Sequence, residues 1–226
     1  MFEEIYATVR EKFSTSEGSH DWQHIERVIQ NARIIQKKEG GDILVVELGA
    51  LLHDIADHKF HENDFDLGPK VAREIVLTHF RDDKLANKIA EIVNAVSFKG
   101  ALVEDIPVSI EGKIVRDADR LDAIGAVGIA RAFAYGGSQN RPLFNTQLPP
   151  ILHNSKESYA KSKSHTINHF FEKLLLLRER METATARELA KERHLFMISY
   201  LQQFFNESGF LNEGSEFDLS NFRESI

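Results

Sequence analysis

The chain has no cysteine, which excludes disulfides, thiolate metal sites and a cysteine nucleophile. That absence fits a reducing compartment. No apolar run is long enough to span a bilayer, since the longest, Ile43 to Leu52, has about half the required length. The first residues, Met1-Phe2-Glu3-Glu4-Ile5-Tyr6, are acidic and lack the apolar core of a signal peptide. Positive charge is not in excess either. The formal net charge is -7, and no basic stripe interleaves with aromatics, so nucleic-acid backbone and anionic membrane are disfavoured as partners. No stretch alternates apolar and polar residues with period two for long enough to make a good strand, and there is no repeat or low-complexity segment. A cytoplasmic protein is expected.

What is present has helical period almost throughout. Phe2, Ile5, Tyr6, Val9 and Phe13 mark a first helix. Ser19 is a plausible cap for a second, from His20 to about Lys38, which Gly40-Gly41 ends. Ile43 to Ile55 is apolar on nearly every side except at Glu47, as befits the middle of a bundle. Two further helices are expected, from Pro69 to Phe80 and from Asp83 to Phe98. Glu111 to Tyr135 reads as a second buried helix. Residues 138–155, with Pro142, Pro149 and Pro150, form the longest irregular stretch, of a length that is often functional. Helices over 159–182 and 183–205 follow, then a polar tail, 206–226, expected to pack weakly or fray. The expected fold is all-α, a single-domain helical bundle over 1–226, with the part that carries the candidate metal site in about 19–131.

His53-Asp54 sits at the end of the most apolar of these helices. An ionised carboxylate delivered there needs a partner. One imidazole nitrogen and one carboxylate oxygen side by side suit a divalent metal. His24 upstream adjoins the inward stripe of its helix, where a hydrogen-bonded core histidine is the alternative reading; His20, one turn earlier, suits a cap or a supporting bond. Asp119 lies within Asp117-Ala118-Asp119-Arg120-Leu121-Asp122, on a side of the helix that Ala118, Leu121 and Ile124 place inward. Asp117 and Asp122 read as surface acids paired with Arg116 and Arg120. Together His24, His53, Asp54 and Asp119 make two imidazoles and two carboxylates from three predicted helices. This is a ligand set for manganese, nickel, iron, cobalt, zinc or magnesium, although histidine disfavours a pure magnesium or calcium site.

The ordered set His24, His53-Asp54, Asp119, with flanks His20 to Val28, Leu52 to Asp57 and Asp117 to Gly125, resembles the signature of the HD-domain superfamily of metal-dependent phosphohydrolases, in particular its small bacterial branch. The resemblance implies a helical bundle of HD type around one divalent metal, with manganese favoured. It also implies hydrolysis of a phosphoester or phosphoanhydride of a small nucleotide substrate, with triphosphate cleavage to monophosphate and pyrophosphate as one form. It carries an acid/base role onto Asp57, one helical turn after Asp54, where a surface acid near Lys59 is the alternative. Glu62 is a second candidate for that role.

Phosphate needs cations or N–H donors. Lys59, Arg27 and Arg120 are the candidates, each with a structural pairing as the alternative. His165, His169 and Lys173 share a helical face, read as solvated polar surface or as the far wall of a pocket. His58, His61 and His79 leave open a second metal, and with it phosphodiester cleavage or di-iron oxidation; a nucleotide-binding module without turnover is the third reading. A homo-oligomer is compatible with the Phe-rich C-terminal helices.

Overall fold

The computed structural model describes residues 1–13, 21–56, 67–98, 100–155, 158 and 164–222. It is all-α, with no strand among the described residues. Nine α-helices are described: α1 (Phe2–Phe13), α2 (Trp22–Glu39), α3 (Ile43–Leu52), α4 (Leu67–Phe80), α5 (Asp83–Val96), α6 (Ile110–Asp122), α7 (Gly125–Ser138), α8 (Thr166–Glu172) and α9 (Ala184–Ser208). None is long and apolar enough to cross a membrane. The chain divides into two compact units, one of Met1–Phe98, Asp105–Asp122 and Glu182–Ala186, the other of Lys99–Glu104, Ala123–Met181 and Arg187–Ile226.

In the first unit α3 is buried along almost its whole length, from Val45 to Leu52 apart from Glu47, as its composition demands. Asp42 caps it by accepting from the Leu44 N–H. Gly49 lets its backbone approach the neighbouring helices, because a side chain there would meet Val115 at 3.0 Å and Ile92 at 3.2 Å. Helix α2 is capped by Asp21, one residue inside the expected helix start, through a 2.9 Å bond from the His24 N–H; Ser19 and His20 lie outside the described residues. The cap fixes the turn that carries His24.

Polar groups then tie the helices together. Arg116 is fully buried and donates to the Ala95 and Ile106 carbonyls and to Glu182. Asp117 is not a surface acid. It is buried and accepts from the Glu182 N–H and from the N–H and hydroxyl of Thr183, while Glu39 accepts from the N–H and hydroxyl of Thr185. Two carboxylates thus satisfy the open donors at the start of α9.

Glu111, in the first turn of α6, accepts from the Asp42 N–H at 3.2 Å and pairs with Lys88 at 3.1 Å. Burial pushes its pKa upward, but hydrogen bonds from Ser109, from backbone N–H groups and from Lys88 outweigh burial and hold it at about 2. A carboxylate depressed in the folded state contributes stability above its unfolded pKa and loses it as pH falls toward the folded value. Glu111→Gln is therefore expected to destabilise the protein at pH 7 by roughly 1–3 kcal/mol and to shrink the loss of stability between about pH 4.5 and pH 2. Urea titrations across that range check both.

The buried helix expected over 111–135 is two helices. Ile124 is extended and Gly125 has φ +77°, so α6 stops at Asp122 and α7 starts afresh. Apolar periodicity runs straight through the break because Ile124 is itself buried. The turn is a backbone event, and Gly125 was its only sign.

The second unit is held by aromatic packing. The Phe144 ring lies 5.1–5.9 Å from those of His165, Phe204, Phe205, Phe210 and Phe217. Ser138 still belongs to α7, but residues 139–155 are irregular as expected, yet pinned: the Pro142, Leu143 and Leu148 carbonyls accept from Thr166, Ile167 and Asn168, and the Ile151 N–H donates to Glu172. The helix expected over 159–182 is replaced, in its described part, by the short α8 and two 3-10 turns, Leu174–Leu176 and Arg178–Arg180. His165 does not lie on a solvated face. It is buried, its Nδ1 accepts from the Asn168 N–H to cap α8, and its Nε2 donates to the Leu148 carbonyl. His169 and Lys173 are half-buried. The tail is not frayed over its described part, where Phe217 and Leu219 enter the core.

Candidate metal centre

Every described residue of the candidate centre belongs to the first unit. The first turn of α2 supplies His24, the turn after α3 supplies His53 and Asp54, and the last turn of α6 supplies Asp119. The two histidine side chains are buried at 0% and 1% exposure, while Asp54 and Asp119 are exposed by 15% and 29%. The imidazoles therefore form the floor, and the carboxylates stand on the solvent side.

The donor atoms converge. His24 Nε2 lies 3.1 Å from His53 Nε2, 3.3 Å from an Asp54 oxygen and 3.6 Å from an Asp119 oxygen. His53 Nε2 lies 3.5 and 3.8 Å from the same two oxygens. Ligands about 2.0–2.2 Å from one ion sit roughly 3.0 Å apart at octahedral corners and roughly 3.5 Å apart at tetrahedral ones. The observed separations have that scale, and His24, His53 and Asp119 offer three donor atoms within 4.8 Å of one another.

The outer nitrogens decide what the inner ones can do. His53 Nδ1 is 2.8 Å from the Ala50 carbonyl, which can only accept, so Nδ1 carries the proton. His24 Nδ1 is 2.7 Å from Asp122, a carboxylate, with the same consequence. In neutral rings both Nε2 atoms are then lone pairs, facing each other and two carboxylate oxygens. Four acceptors with no donor among them repel unless a cation lies between them. A divalent ion with mixed nitrogen and oxygen ligation fits this donor set, and the open carboxylate side leaves room for water and a substrate.

Of the other residues singled out in the sequence, Arg27 donates to Asp122 through Nε at 2.6 Å and Nη2 at 3.1 Å. Arg120 is buried and donates to Asp105 at 2.6 Å, which ties its guanidinium to a connecting segment. His79 donates to the Ile75 carbonyl and is not in the ligand cluster found among the described residues. Asp57, His58, Lys59, His61 and Glu62 lie outside the described residues.

Two residues were missed. Asp122, read as a surface acid, is 2% exposed and anchors His24; its spacing of three from Asp119 was the available signal. Lys12, at the end of α1, donates to the Ile55 carbonyl at 2.7 Å and brings a positive charge one residue past Asp54; nothing in the sequence linked α1 to this turn.

A family model described as the HD domain matches residues 21–124. The Bacillus subtilis (strain 168) protein YpgQ is 39% identical over 203 residues, which are 89% of this chain and 90% of that one. A crystal structure of Bacillus subtilis YpgQ in complex with ADP has TM-score 0.72 and 36% identity, and the match covers 91% of this chain and 94% of that one. A Bacillus thuringiensis structure described as an HD-superfamily hydrolase has TM-score 0.69 and 34% identity over 92% of this chain and 96% of that one.

Proposed function

Because the chain belongs to the HD-domain superfamily, we propose that it is a divalent-metal-dependent phosphohydrolase acting on a phosphoester or phosphoanhydride of a small nucleotide. The carrying observation is the meeting of four acceptor groups, with the two Nε2 lone pairs 3.1 Å apart, at one solvent-facing point. Two independent supports exist for the substrate class. YpgQ has been crystallised with ADP, a nucleoside diphosphate. The chain's own excess of acid, with net charge -7, argues against long polyanions and leaves small anions drawn to a locally positive centre.

His24, His53, Asp54 and Asp119 would hold one ion, manganese first, with nickel, iron, cobalt or magnesium as alternatives. Bound there, a divalent ion lowers the pKa of a water and polarises a phosphoryl oxygen. The buried imidazoles keep water from the inner side, and the exposed carboxylates face the substrate. Asp57 is assigned to orient the attacking water and take its proton, with Glu62 as second choice. Lys12, exposed and already placed against the Ile55 carbonyl, and Lys59 are assigned to the substrate's phosphates. Arg27 enters that role less readily, because Asp122 already occupies two of its N–H groups. Cleavage of a triphosphate to monophosphate and pyrophosphate is the form we favour.

A panel of nucleoside mono-, di- and triphosphates, assayed for phosphate and pyrophosphate with chelator and with added Mn²⁺, tests this. Release that disappears with chelator and returns with Mn²⁺ is the expected result. Release indifferent to chelation contradicts it.

A further inference from the structure

We infer that Asp122 and Arg27 are positioning residues for the metal, acting in series through His24. This rests on the reading of His24 as a ligand and extends it to two residues that touch neither metal nor substrate. The geometry is a chain of three groups. Arg27, in α2, grips the Asp122 carboxylate with two N–H groups, at 2.6 and 3.1 Å. Asp122, the last residue of α6, uses the oxygen 3.1 Å from Arg27 Nη2 to accept the His24 Nδ1 proton at 2.7 Å. His24 then presents Nε2 to the cluster.

Each part has a physical task. An imidazole can carry its proton on either nitrogen, and only the Nδ1–H form offers Nε2 to an ion. Asp122 selects that form and fixes the ring plane. A carboxylate 2% exposed needs a counter-charge, and a fork with two donors also stops it from rotating. Arg27 lies one helical turn after His24, so α2 itself delivers both the ligand and the group that restrains its partner. Burial pushes the Arg27 pKa down, but the hydrogen bond and charge of Asp122 outweigh it and raise the value, so the cation is permanent. His53 uses a backbone carbonyl for the same purpose, which no side-chain substitution removes. The two histidines thus differ, and only the His24 side is adjustable by mutation.

The test is a Co²⁺ titration, followed by visible absorption, of metal-free wild type, Asp122→Ala, Asp122→Asn, Arg27→Ala, the Asp122→Ala/Arg27→Ala double variant and Asp54→Ala. Asp122→Ala is expected to weaken Co²⁺ binding by about 10–100-fold, and Arg27→Ala by less. The double variant is expected to bind no more weakly than Asp122→Ala, because Arg27 acts only through Asp122. Proton NMR of the Co²⁺-loaded protein supplies a readout that a merely structural role would not move. Wild type should show two shifted, slowly exchanging imidazole N–H resonances, and Arg27→Ala should speed exchange of one of them. If Asp122→Ala does not fold, Asp122→Asn and Arg27→Ala carry the same comparison.

Wild-type Co²⁺ affinity and unchanged N–H exchange in these variants, with Asp54→Ala losing the metal, would overturn the inference and leave the metal centre standing. An Arg27→Ala effect that adds fully to that of Asp122→Ala would overturn the serial arrangement and return Arg27 to substrate binding. A wild type that takes up no Co²⁺ would overturn the metal reading itself, and the inference with it.

Discussion

Asp54→Ala is expected to lower nucleotide hydrolysis by at least about a thousandfold, equivalent to some 4 kcal/mol of lost transition-state stabilisation. The side chain lies 3.3 and 3.5 Å from the two Nε2 atoms, so its loss removes one of the four converging donors and a negative charge. The folding consequence separates this from a damaged core. Asp54 is 15% exposed, so the metal-free variant should stay folded, with a melting temperature close to that of wild type. With metal at a hundred times its dissociation constant, wild type should gain about 2.7 kcal/mol and the variant much less. Melting curves with and without Mn²⁺ measure this. A variant that is equally stabilised by Mn²⁺ but inactive would make Asp54 a catalytic group and not a ligand.

Asp117→Ala is expected to cost about 3–5 kcal/mol of stability. Asp117 stands only two residues from Asp119, yet it does a different job. Its carboxylate is fully buried and receives three donors, the Glu182 N–H at 3.0 Å, the Thr183 N–H at 2.7 Å and the Thr183 hydroxyl at 2.8 Å. Burial pushes its pKa up, and these bonds and Arg120 pull back against that. Alanine would leave the donors at the start of the last long helix buried without this acceptor, each costing roughly 1–3 kcal/mol. In a protein of this size the melting temperature should fall by about 8–15 °C. Urea titration of the metal-free protein keeps metal linkage out of the comparison. A loss under about 1 kcal/mol would mean that water replaces the carboxylate and that the cap is dispensable.

The candidate centre was legible in the sequence because it depends on local placement. His53-Asp54 ends the one helix that is apolar on nearly every side, His24 and Asp119 adjoin inward stripes, and the ordered set with its flanks resembles the HD signature; periodicity and that resemblance together brought the three segments toward one core. The all-α class followed from the same periodicity. What escaped was non-local pairing. Asp117 and Asp122 lie in a helix with arginines nearby, and short-range pairing was the natural reading. Asp117 bonds instead to residues 65 and 66 positions away, and Asp122 to His24 and Arg27, 98 and 95 away. No helical wheel contains that information. Arg120 escaped for the same reason, through Asp105. The break at Ile124-Gly125 and the division of 159–182 into a short helix and 3-10 turns escaped because apolar residues stay buried through both. Burial pattern fixes which side chains face inward and is silent on where the backbone bends.

The most direct measurement of the central claim is metal stoichiometry. Purified wild type and a His24→Ala/His53→Ala variant would be loaded with Mn²⁺, desalted and assayed by elemental analysis, with circular dichroism confirming that both are folded. The account predicts close to one divalent ion per chain in wild type and essentially none in the variant, since the floor of the centre would be gone. A wild type that holds no ion, or a folded variant that holds as much as wild type, would show that the two facing imidazoles and their carboxylates are not a metal centre.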